Sequence, residues 1–392
     1  MNLLRKKPSS FDRLRLNNCR VALVYDRVNK WGGAERILLA LQKIFPDAPL
    51  YTAVCDKQKA PWANKFRVKT SFLQQLPFAR RHHEFYPWLT PVAFELLDFS
   101  DFDIVITVTS AEAKGIITLP DTLHICYCLT PTRYLWSAYS AYLSCPGFGK
   151  LDFLARTSLR TFRPYLLFWD KTAAQRPDLY LTISDNVRRR IVKYYHRDAE
   201  VIYPPINLGK FKIRNENLKI QASDFYLIVS RLVAYKRIDL AIKAFNRLKL
   251  PLKVVGIGSQ LNELKKFAGS NIEFLGYLTE ENLLRYYYGC KAVICPQEED
   301  FGLVPLEAQA CGKPVISYKK GGALETIIEG ETGEFFYPQT VEALMKAVRD
   351  SRGKVYSKTK CINNASSFDE QKFLLNFKKI VETKWQEYQK KN

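Results

Sequence analysis

The stretch EEDFGLVPLEAQACG, residues 298–312, decides how this sequence folds and where its chemistry lies. The apolar run KAVIC at 291–295 reads as a strand that ends just before it, while Pro305 and Gly312 are typical of the start and the end of a helix. The stretch is therefore predicted to be a loop at the carboxyl end of a strand that leads into a helix. Such a loop offers free backbone N–H groups and a positive helix dipole to a phosphate.

Other apolar runs rich in Val, Ile and Tyr recur between helix-like segments, which is the pattern of buried parallel strands with helical crossovers. The first half of the chain has such runs at 21–26, 104–108, 123–128 and 179–183, and the second half at 225–230, 252–256, 272–275, 291–295 and 314–318. The sequence predicts an α/β fold of two Rossmann-like parallel-sheet domains, residues 1–205 and 206–366, that face a central cleft. A C-terminal helix over 367–392 is expected to pack back on the first domain.

Composition limits the class of protein. The 392 residues carry a net charge of +21, which favours a polyanionic neighbour, either nucleic acid or an anionic membrane face. Because the sequence has no zinc-finger, RNP or helix-turn-helix fingerprint, nucleic acid is the less favoured partner. Nine scattered cysteines match neither a disulfide framework nor a zinc site, and no signal peptide or membrane span is seen, so we expect a cytoplasmic protein.

Two carboxylates flank the opening loop, and two cations follow another strand. Glu299 and Glu307 would repel a phosphate but accept hydrogen bonds from hydroxyls of a sugar or a ribose. Arg231 and Lys236 lie just past the strand at 225–230, where they can neutralise a departing diphosphate. Gly302 allows a ligand to approach the backbone closely. Together these residue types describe a site for a nucleotide sugar.

Glycine pairs at other predicted strand ends are compatible with the same ligand. Gly32-Gly33 directly precede a helix after the first strand, and Gly256-x-Gly258 follow a strand of the second domain. Gly321-Gly322 precede another helix and fit a plain turn equally well. Asp101-x-Asp103 has the form of a metal-binding motif but precedes a strand, so no metal site is expected.

In this combination the sequence resembles the family 4 retaining glycosyltransferases of GT-B architecture. The resemblance covers nearly the whole chain and rests on the glutamate-x7-glutamate motif in EEDFGLVPLEAQACGKPVI, the Arg231 and Lys236 pair, GGAE at 32–35 and VIYPPIN at 201–207. The segments TSFLQQLPFARRHHEFYP, YCLTPTRYLW and GKPVISYKKGGALETI are most similar to bacterial mannosyltransferase-like members that build surface polysaccharides or lipid-linked glycans. The resemblance implies that the first domain binds the acceptor and the second the nucleotide sugar.

The resemblance also implies a role for each motif residue. Glu307 would bind the nucleotide ribose, and Glu299 the hydroxyls of the transferred sugar. Arg231 and Lys236 would hold the diphosphate. The backbone amides that approach the donor would be those of Phe301, Gly302 and Leu303. Such enzymes retain the anomeric configuration and are usually independent of metals, and the leaving phosphate is thought to assist deprotonation of the acceptor.

The acceptor side shows one departure from the family pattern. Many relatives carry histidine where this chain has Leu129 in YCLTP. His124 lies in the preceding apolar run, where strand alternation points it away from Leu129, so we expect a core histidine. Arg133, Tyr134 and Trp136 follow this loop and are expected to border the acceptor.

These observations predict transfer of a hexose, from GDP-mannose, to a hydroxyl of a glycan or lipid-linked acceptor, with no metal or other cofactor. A UDP-sugar is the alternative donor, and a non-catalytic basic protein that binds nucleic acid or an anionic glycan is the alternative of another class. The segments 150–171 and 79–91 interleave basic and aromatic residues, which fits either an anionic membrane surface or a helix packed on its own core. The membrane alternative would make the enzyme peripheral at the inner membrane face.

Overall fold

Two parallel sheets organise the chain. The computed structural model describes residues 19–80, 85–144, 152–211 and 224–391. The first sheet has seven strands in the order β3-β2-β1-β4-β5-β6-β7, and the second has six in the order β10-β9-β8-β11-β12-β13. All pairings within both sheets are parallel.

The first sheet and its helices occupy the N-terminal half of the chain. Its strands are β1 (Val21–Tyr25), β2 (Leu50–Thr52), β3 (Val68–Thr70), β4 (Ile104–Thr109), β5 (Leu123–Cys128), β6 (Leu179–Thr182) and β7 (Glu200–Val201). Its helices are α1 (Gly33–Ile44), α2 (Thr90–Glu95), α3 (Tyr139–Ser144), α4 (Asp152–Ala173) and α5 (Asp185–Tyr195). We call this unit the N-domain.

The second sheet defines the C-domain. Its strands are β8 (Tyr226–Val229), β9 (Leu252–Val255), β10 (Ile272–Gly276), β11 (Val293–Cys295), β12 (Val315–Tyr318) and β13 (Gly333–Phe336). Its helices are α6 (Ile238–Leu248), α7 (Leu261–Lys266), α8 (Glu280–Gly289), α9 (Leu303–Ala310), α10 (Ala323–Thr326), α11 (Val341–Arg352) and α12 (Lys358–Ser366). The last helix is α13 (Glu370–Lys391).

Each of the nine predicted strands is present, and the predicted fold class of two parallel-sheet α/β domains is confirmed. Four strands were not predicted, namely β2, β3, β7 and β13. β7 has only two residues, β3 (VKT) and β13 (GEFF) each contain a charged residue, and β2 opens an apolar stretch, residues 50–54, that was overlooked. β3, β7 and β13 are also edge strands, which need less apolar sequence than strands buried on both sides.

Each sheet reverses its strand order at one point, and this reversal determines which loops line a crevice. In the N-domain the reversal lies between β1 and β4, and in the C-domain between β8 and β11. At such a switch point neighbouring crossovers leave on opposite faces of the sheet, which opens a crevice beyond the carboxyl ends of the strands. The loops after β8 and β11 therefore face the same crevice.

Helix α13 returns from the C-domain to the N-domain. Phe373 and Phe377 are buried, with their ring centroids 6.2 and 5.7 Å from that of Tyr127 on β5. At its first turn, Glu370 pairs with Lys43 of α1 at 2.5 Å. The last helix thus completes the apolar core of the N-domain.

The eight described cysteines are free, and seven of them are buried. Burial raises the pKa of Cys126 to about 12, so this thiol is held in its neutral form. Among the described helices, none is long and apolar enough to cross a bilayer.

His124 and Leu129 both lie in the N-domain core. His124 is fully buried on β5, with its Nε2 3.2 Å from the hydroxyl of Thr107. Burial, reinforced by the charges of Arg176 and Arg197, lowers its pKa to about 3. Leu129 is 8% exposed and packs in the same apolar cluster as β5. The predicted core role of His124 is confirmed, and it is not an imidazole of the cleft.

The buried imidazole predicts a pH dependence of stability. Below pH 6.5 the unfolded chain binds a proton at His124, whereas the folded chain excludes that proton until about pH 3. The free energy of unfolding therefore falls as the pH falls from 6.5 to about 3. We expect wild type to lose about 1.4 kcal/mol more unfolding free energy than His124→Gln between pH 7.5 and 5.5 in urea titrations. His196→Asn, at an exposed site, should keep the wild-type dependence. Parallel profiles of wild type and His124→Gln would contradict this reading.

Candidate functional site

Glu299 and Lys236 meet at the switch point of the C-domain. Lys236 lies in the loop after β8 and Glu299 in the loop after β11, and Lys236 Nζ is 2.5 Å from Glu299 Oε1. Their side chains are only 13% and 20% exposed. Gln297 also donates its Nε2 to Glu299 Oε1 at 2.6 Å. The carboxylate is therefore held in one position by an ammonium and an amide.

Cations from both domains converge on this crevice. Arg231 donates to the hydroxyl of Tyr235 at 2.5 Å and remains exposed. Lys30, in the loop after β1, has its pKa lowered by burial and by the charges of Arg27 and Arg231. Since Arg27 and Lys30 belong to the N-domain and Arg231 to the C-domain, positive charge collects where the two domains face each other. An anionic ligand would relieve that repulsion.

Glu307 lies on α9 and is reached from the N-domain. Its Oε1 accepts a hydrogen bond from Arg36 of α1 at 2.5 Å, and its Oε2 accepts one from the buried hydroxyl of Tyr287 at 2.7 Å. The charge of Glu307 raises the pKa of Arg36, and burial followed by Glu307 raises that of Tyr287. An ionised carboxylate has about four lone-pair positions, so two remain for ligand hydroxyls.

The start of α9 is shaped by glycines. Gly302 caps the helix with φ +105°, which other residues rarely adopt. Gly322 donates its N–H to Glu299 O at 2.8 Å, and a Cβ there would lie 2.3 Å from the Cα of Phe301. Gly321-Gly322 is thus a turn that lies directly against the Glu299 loop. Its role in the structure is to fix that loop.

Phe301 and Leu303 connect this loop to the N-domain. Phe301 is 3% exposed and stacks on Tyr203, with centroids 5.6 Å apart. A Cβ on Gly33 would lie 3.0 Å from Leu303 Cδ1, so the starts of α1 and α9 meet across the cleft. The side chain of Phe301 packs at the junction of the two domains. Its backbone, in the loop that leads to α9, lies against Gly322.

Three other glycines assigned to the donor have structural reasons of their own. A Cβ on Gly256 would lie 1.8 Å from Ser230 O, and one on Gly258 would lie 2.2 Å from Leu232 O. Both therefore let the loop after β9 pass close to the loop after β8. Gly32 is the N-cap of α1, beside the side chain of Glu35. The glycine identity of Gly256 and Gly258 follows from backbone packing, whereas nothing in the backbone around Gly32 requires glycine, and a donor contact of all three stays a prediction.

Asp300, which follows Glu299, is the principal contact between the domains. It is bound by two arginines of the N-domain, Arg133 and Arg190, the latter at 2.6 Å. Arg190 also binds Glu298 at 2.6 Å, and Ser184 donates to Asp300 O at 2.5 Å. Burial alone would raise the pKa of Asp300, but the two arginines hold it below its ordinary value.

A second carboxylate of the C-domain caps a helix of the N-domain. Glu325 accepts hydrogen bonds from the backbone N–H groups of Asp185 and Asn186 at 2.8 and 3.1 Å. These groups open α5, where unpaired N–H groups and the helix dipole favour negative charge. The α5 terminus is therefore fixed against the C-domain from two sides.

The three residues expected at the acceptor are placed differently from one another. Arg133 reaches the cleft, where it binds Asp300. The hydroxyl of Tyr134 donates to the buried Glu112 at 2.5 Å, and Trp136 Nε1 donates to Asp170 Oδ2 at 2.7 Å. Arg133 is therefore the member of the set directly beside the Glu299 loop, and the other two are tied to interior carboxylates of the N-domain.

Asp103 has a structural partner. Its carboxylate accepts hydrogen bonds from the backbone N–H of Arg20 at 2.7 Å and from the guanidinium at 3.1 Å. This pair joins the start of β1 to the start of β4, on the edge away from the cleft. Within the described ranges, no three His, Cys, Asp or Glu side chains are grouped as metal ligands.

Sequence reasoning missed Arg36, Tyr287, Asp300 and Arg190. Arg36 could have been predicted from the sequence, because it follows GGAE in the first turn of α1. The first turn of a helix that faces the cleft presents its side chains to that cleft. Asp300 adjoins a motif residue but reads as an ordinary loop aspartate. For Tyr287 and Arg190 no local signal exists, because their partners are 20 and 110 positions away in the chain.

Part of the chain is similar to a known protein family. Residues 209–367 match the family described as Glycosyl transferases group 1. An uncharacterized glycosyltransferase of Methanocaldococcus jannaschii is 28% identical over 171 residues, which is 42% of this chain and 47% of that protein. The alpha-1,3/1,6-mannosyltransferase ALG2 of Mus musculus is 29% identical over 185 residues, 39% of this chain and 45% of ALG2. The chain thus spans about half the length of these relatives.

The fold of the whole described chain has solved counterparts. The crystal structure of Anabaena HepE in complex with UDP-glucose superposes with a TM-score of 0.66 at 18% identity, covering 93% of this chain and 99% of that one. At this identity the match shows the fold, which is that of the GT-B glycosyltransferase structures. The predicted architecture is confirmed over both domains.

The Asp300 contact can be tested by stability. Arg190→Leu leaves a buried carboxylate with one arginine fewer, so we expect the free energy of unfolding to fall by about 2 to 3 kcal/mol, just below the range for breaking a buried ion pair outright. Arg189→Leu is the matched control, because Arg189 is 66% exposed and pairs with Asp185 at 3.4 Å. It should change stability by less than about 0.5 kcal/mol in the same urea titration. Equal losses in both variants would contradict the role assigned to Arg190.

Proposed function

We propose that this protein is a glycosyltransferase that moves a hexose from a nucleotide sugar to a hydroxyl of a glycan or lipid-linked glycan. The observation that carries the proposal is the Lys236–Glu299 pair at the switch point of the C-domain, with Arg231 beside it and Lys30 facing it from the N-domain. A sugar diphosphate requires a carboxylate that accepts hydrogen bonds from the sugar hydroxyls, next to cations that bind the phosphates.

Each part of the donor has a suitable partner in this arrangement. The diphosphate lies between the cations of both domains, where Lys236 still has N–H groups beyond the one given to Glu299. The amides of Phe301, Gly302 and Leu303 at the start of α9 add donors to it. The ribose hydroxyls bind Glu307, whose two occupied lone pairs leave room for them.

In the proposed reaction the bond between the sugar and the diphosphate breaks, and the acceptor hydroxyl bonds to the same face of the sugar. Lys236 and Arg231 stabilise the negative charge that develops on the leaving diphosphate. The Asp300, Arg190 and Arg133 contacts hold the domains together over the reacting groups, which excludes water and suppresses donor hydrolysis. We propose retention of configuration and independence from metals, as the family resemblance implies.

The donor we propose is GDP-mannose. Its support is the bacterial mannosyltransferase-like motifs and the similarity to ALG2, a mannosyltransferase. A UDP-sugar is the alternative, because HepE, which has the same fold, is complexed with UDP-glucose. The two donors differ in the base, so binding experiments separate them.

The proposal is tested with a thermal-shift panel of GDP-mannose, GDP, UDP-glucose, UDP-N-acetylglucosamine, UDP and short single-stranded DNA. A ligand that binds the native state raises the melting temperature, by an amount that corresponds to about 2.7 kcal/mol of stabilisation at 100 times its Kd. We expect a shift with the GDP species. A shift with UDP species instead moves the donor assignment, and a shift with DNA and no nucleotide sugar overturns the proposed function.

Lys236→Ala should lower turnover by about 100-fold or more, the scale for loss of one preorganised charge at a transition state. Lys243→Ala is the matched control, since Lys243 is a 57% exposed lysine on the neighbouring α6. Turnover is measured as release of the nucleoside diphosphate in the presence of a glycan acceptor. Similar rates for Lys236→Ala and Lys243→Ala would remove Lys236 from the reaction.

We further propose that the acceptor is presented at an anionic membrane surface, to which α4 binds. Phe153 and Phe168 are each 73% exposed and Leu154 is 61% exposed, and Arg160 is exposed among them. The C-terminal half of the helix is anchored by the buried Trp169. A helix that keeps large aromatic side chains and arginines in solvent is suited to an anionic lipid surface.

The position of α4 relative to the cleft supports this assignment. Arg163 donates to Leu135 O at 3.3 Å and lies over the ring of Tyr139 at 4.0 Å, so the helix adjoins the segment that follows Arg133. The second basic segment also contacts it, because Trp88 stacks on Phe162 with centroids 5.0 Å apart. Positions 81–84 and 150–151 of these two segments lie outside the described residues.

The membrane proposal is tested by vesicle sedimentation. We expect wild type to bind vesicles that contain phosphatidylglycerol at low salt, and the double variant Phe153→Ser, Phe168→Ser to bind at least about 10-fold more weakly, given about 1.5 kcal/mol or more for each large apolar side chain that is buried. Leu375→Ser, which removes a 69% exposed leucine from α13, is the control. Absence of wild-type binding at low salt, or equal losses in both variants, would exclude this surface.

A further inference from the structure

The side chain of Gln297 lies at the centre of the candidate site, although no motif includes it. Gln297 follows β11 by two positions and is 4% exposed. Its Nε2 donates to Glu299 Oε1 at 2.6 Å, on the same oxygen that Lys236 binds at 2.5 Å. The amide is therefore fixed beside the carboxylate that is proposed to hold the transferred sugar.

The orientation of this amide follows from its partner. A carboxylate oxygen accepts hydrogen bonds, so it requires the NH2 group of the amide and repels the carbonyl oxygen. The carbonyl oxygen of Gln297 is then directed away from Glu299. The hydrogen bond from Gln297 Nε2 to Glu299 therefore also fixes the position of Gln297 Oε1.

That carbonyl oxygen, Oε1, is buried and has no hydrogen-bond partner among the described residues. A buried acceptor without a partner is costly, so such a group in a native protein calls for an explanation, of which a bound ligand that donates to it is one. An amide oxygen takes only a hydrogen-bond donor. Diphosphate oxygens at neutral pH are acceptors, so the matching group is a hydroxyl.

We propose that Gln297 Oε1 accepts a hydrogen bond from one hydroxyl of the transferred hexose and so contributes to recognition of the sugar. This inference rests on the proposed function, because the hexose is the hydroxyl-bearing group that Glu299 would hold. Gln297 then has two roles on its two amide atoms: Nε2 fixes Glu299, and Oε1 reads a separate hydroxyl. A site that binds a substrate hydroxyl with a buried polar group discriminates strongly against analogues that lack it.

The experiment measures dissociation constants by calorimetry for wild type, Gln297→Met and Glu299→Gln. The ligands are GDP, GDP-mannose and a series of singly deoxygenated GDP-mannose analogues, or the UDP set if the thermal-shift panel selects UDP. Met has nearly the length of Gln and makes neither hydrogen bond. GDP is the folding control, because a folded Gln297→Met protein should bind it as wild type does.

We expect Gln297→Met to weaken GDP-mannose binding by about 10-fold and to leave GDP binding within about twofold, the scale for one hydrogen bond to a buried group. For one deoxygenated analogue, the loss of affinity in Gln297→Met should shrink to the part that comes from the Nε2 contact with Glu299, while Glu299→Gln still weakens binding of that analogue in full. This pattern assigns the missing hydroxyl to Gln297.

Two results would overturn the inference while the proposed function stands. One is that Gln297→Met and Glu299→Gln lose affinity for the same analogues, which means that Gln297 only orients Glu299. The other is that Gln297→Met binds GDP-mannose as wild type does. If wild type binds no nucleotide sugar of either set, the proposed function itself fails, and with it the ligand assumed here.

Discussion

The buried carboxylate of Asp300 is the contact on which the geometry of the cleft depends. It sits on the C-domain, yet Arg133 and Arg190, which neutralise it, belong to the N-domain. Separation of the domains would expose these charges to water and exchange their mutual attraction for hydration. Because Asp300 adjoins Glu299 in one loop, the position of the Glu299 carboxylate is tied to the arrangement of the two domains.

The carboxylate of each motif glutamate is bound by a cation and also by a neutral hydrogen-bond donor. Glu299 and Glu307 are each bound by one cation, Lys236 and Arg36 respectively, and by one neutral donor. Lys30, in the loop after β1, has its pKa lowered by desolvation and by the charges of Arg27 and Arg231. A ligand with two phosphates and several hydroxyls satisfies both kinds of group at once.

Local patterns revealed the strands and the motif residues, since an apolar run or a strand-end loop is written in consecutive positions. The same patterns are ambiguous where one residue type serves two purposes. Gly256 and Gly258 sit in a strand-end loop as phosphate-binding glycines do, yet they are explained by the carbonyls of Ser230 and Leu232 that pass beside them. A glycine in the sequence indicates that another group approaches the backbone closely. The sequence does not say whether that group is a ligand or another part of the chain.

Contacts between the domains were beyond local reasoning. Arg36 and Glu307 are 271 positions apart, and Arg190 and Asp300 are 110 apart, so no spacing connects them. Whether an arginine on a helix pairs with solvent or with a distant carboxylate is decided by how the two sheets are packed together. Prediction from sequence therefore named Lys236, Glu299 and Glu307 of the C-domain but not Arg36 or Arg190 of the N-domain.

The leucine at position 129 constrains how the proposed reaction handles the acceptor proton. The buried Leu129 packs in the core, and His124 is held neutral on β5, so neither supplies an imidazole base to the cleft. In the proposed reaction the proton passes to the leaving diphosphate, whose basicity falls as cations bind it more tightly. Lys236 shares its charge with Glu299, which moderates its hold on the diphosphate. In the proposed reaction, the ion pair that fixes Glu299 thus also keeps the leaving group basic enough to accept the proton.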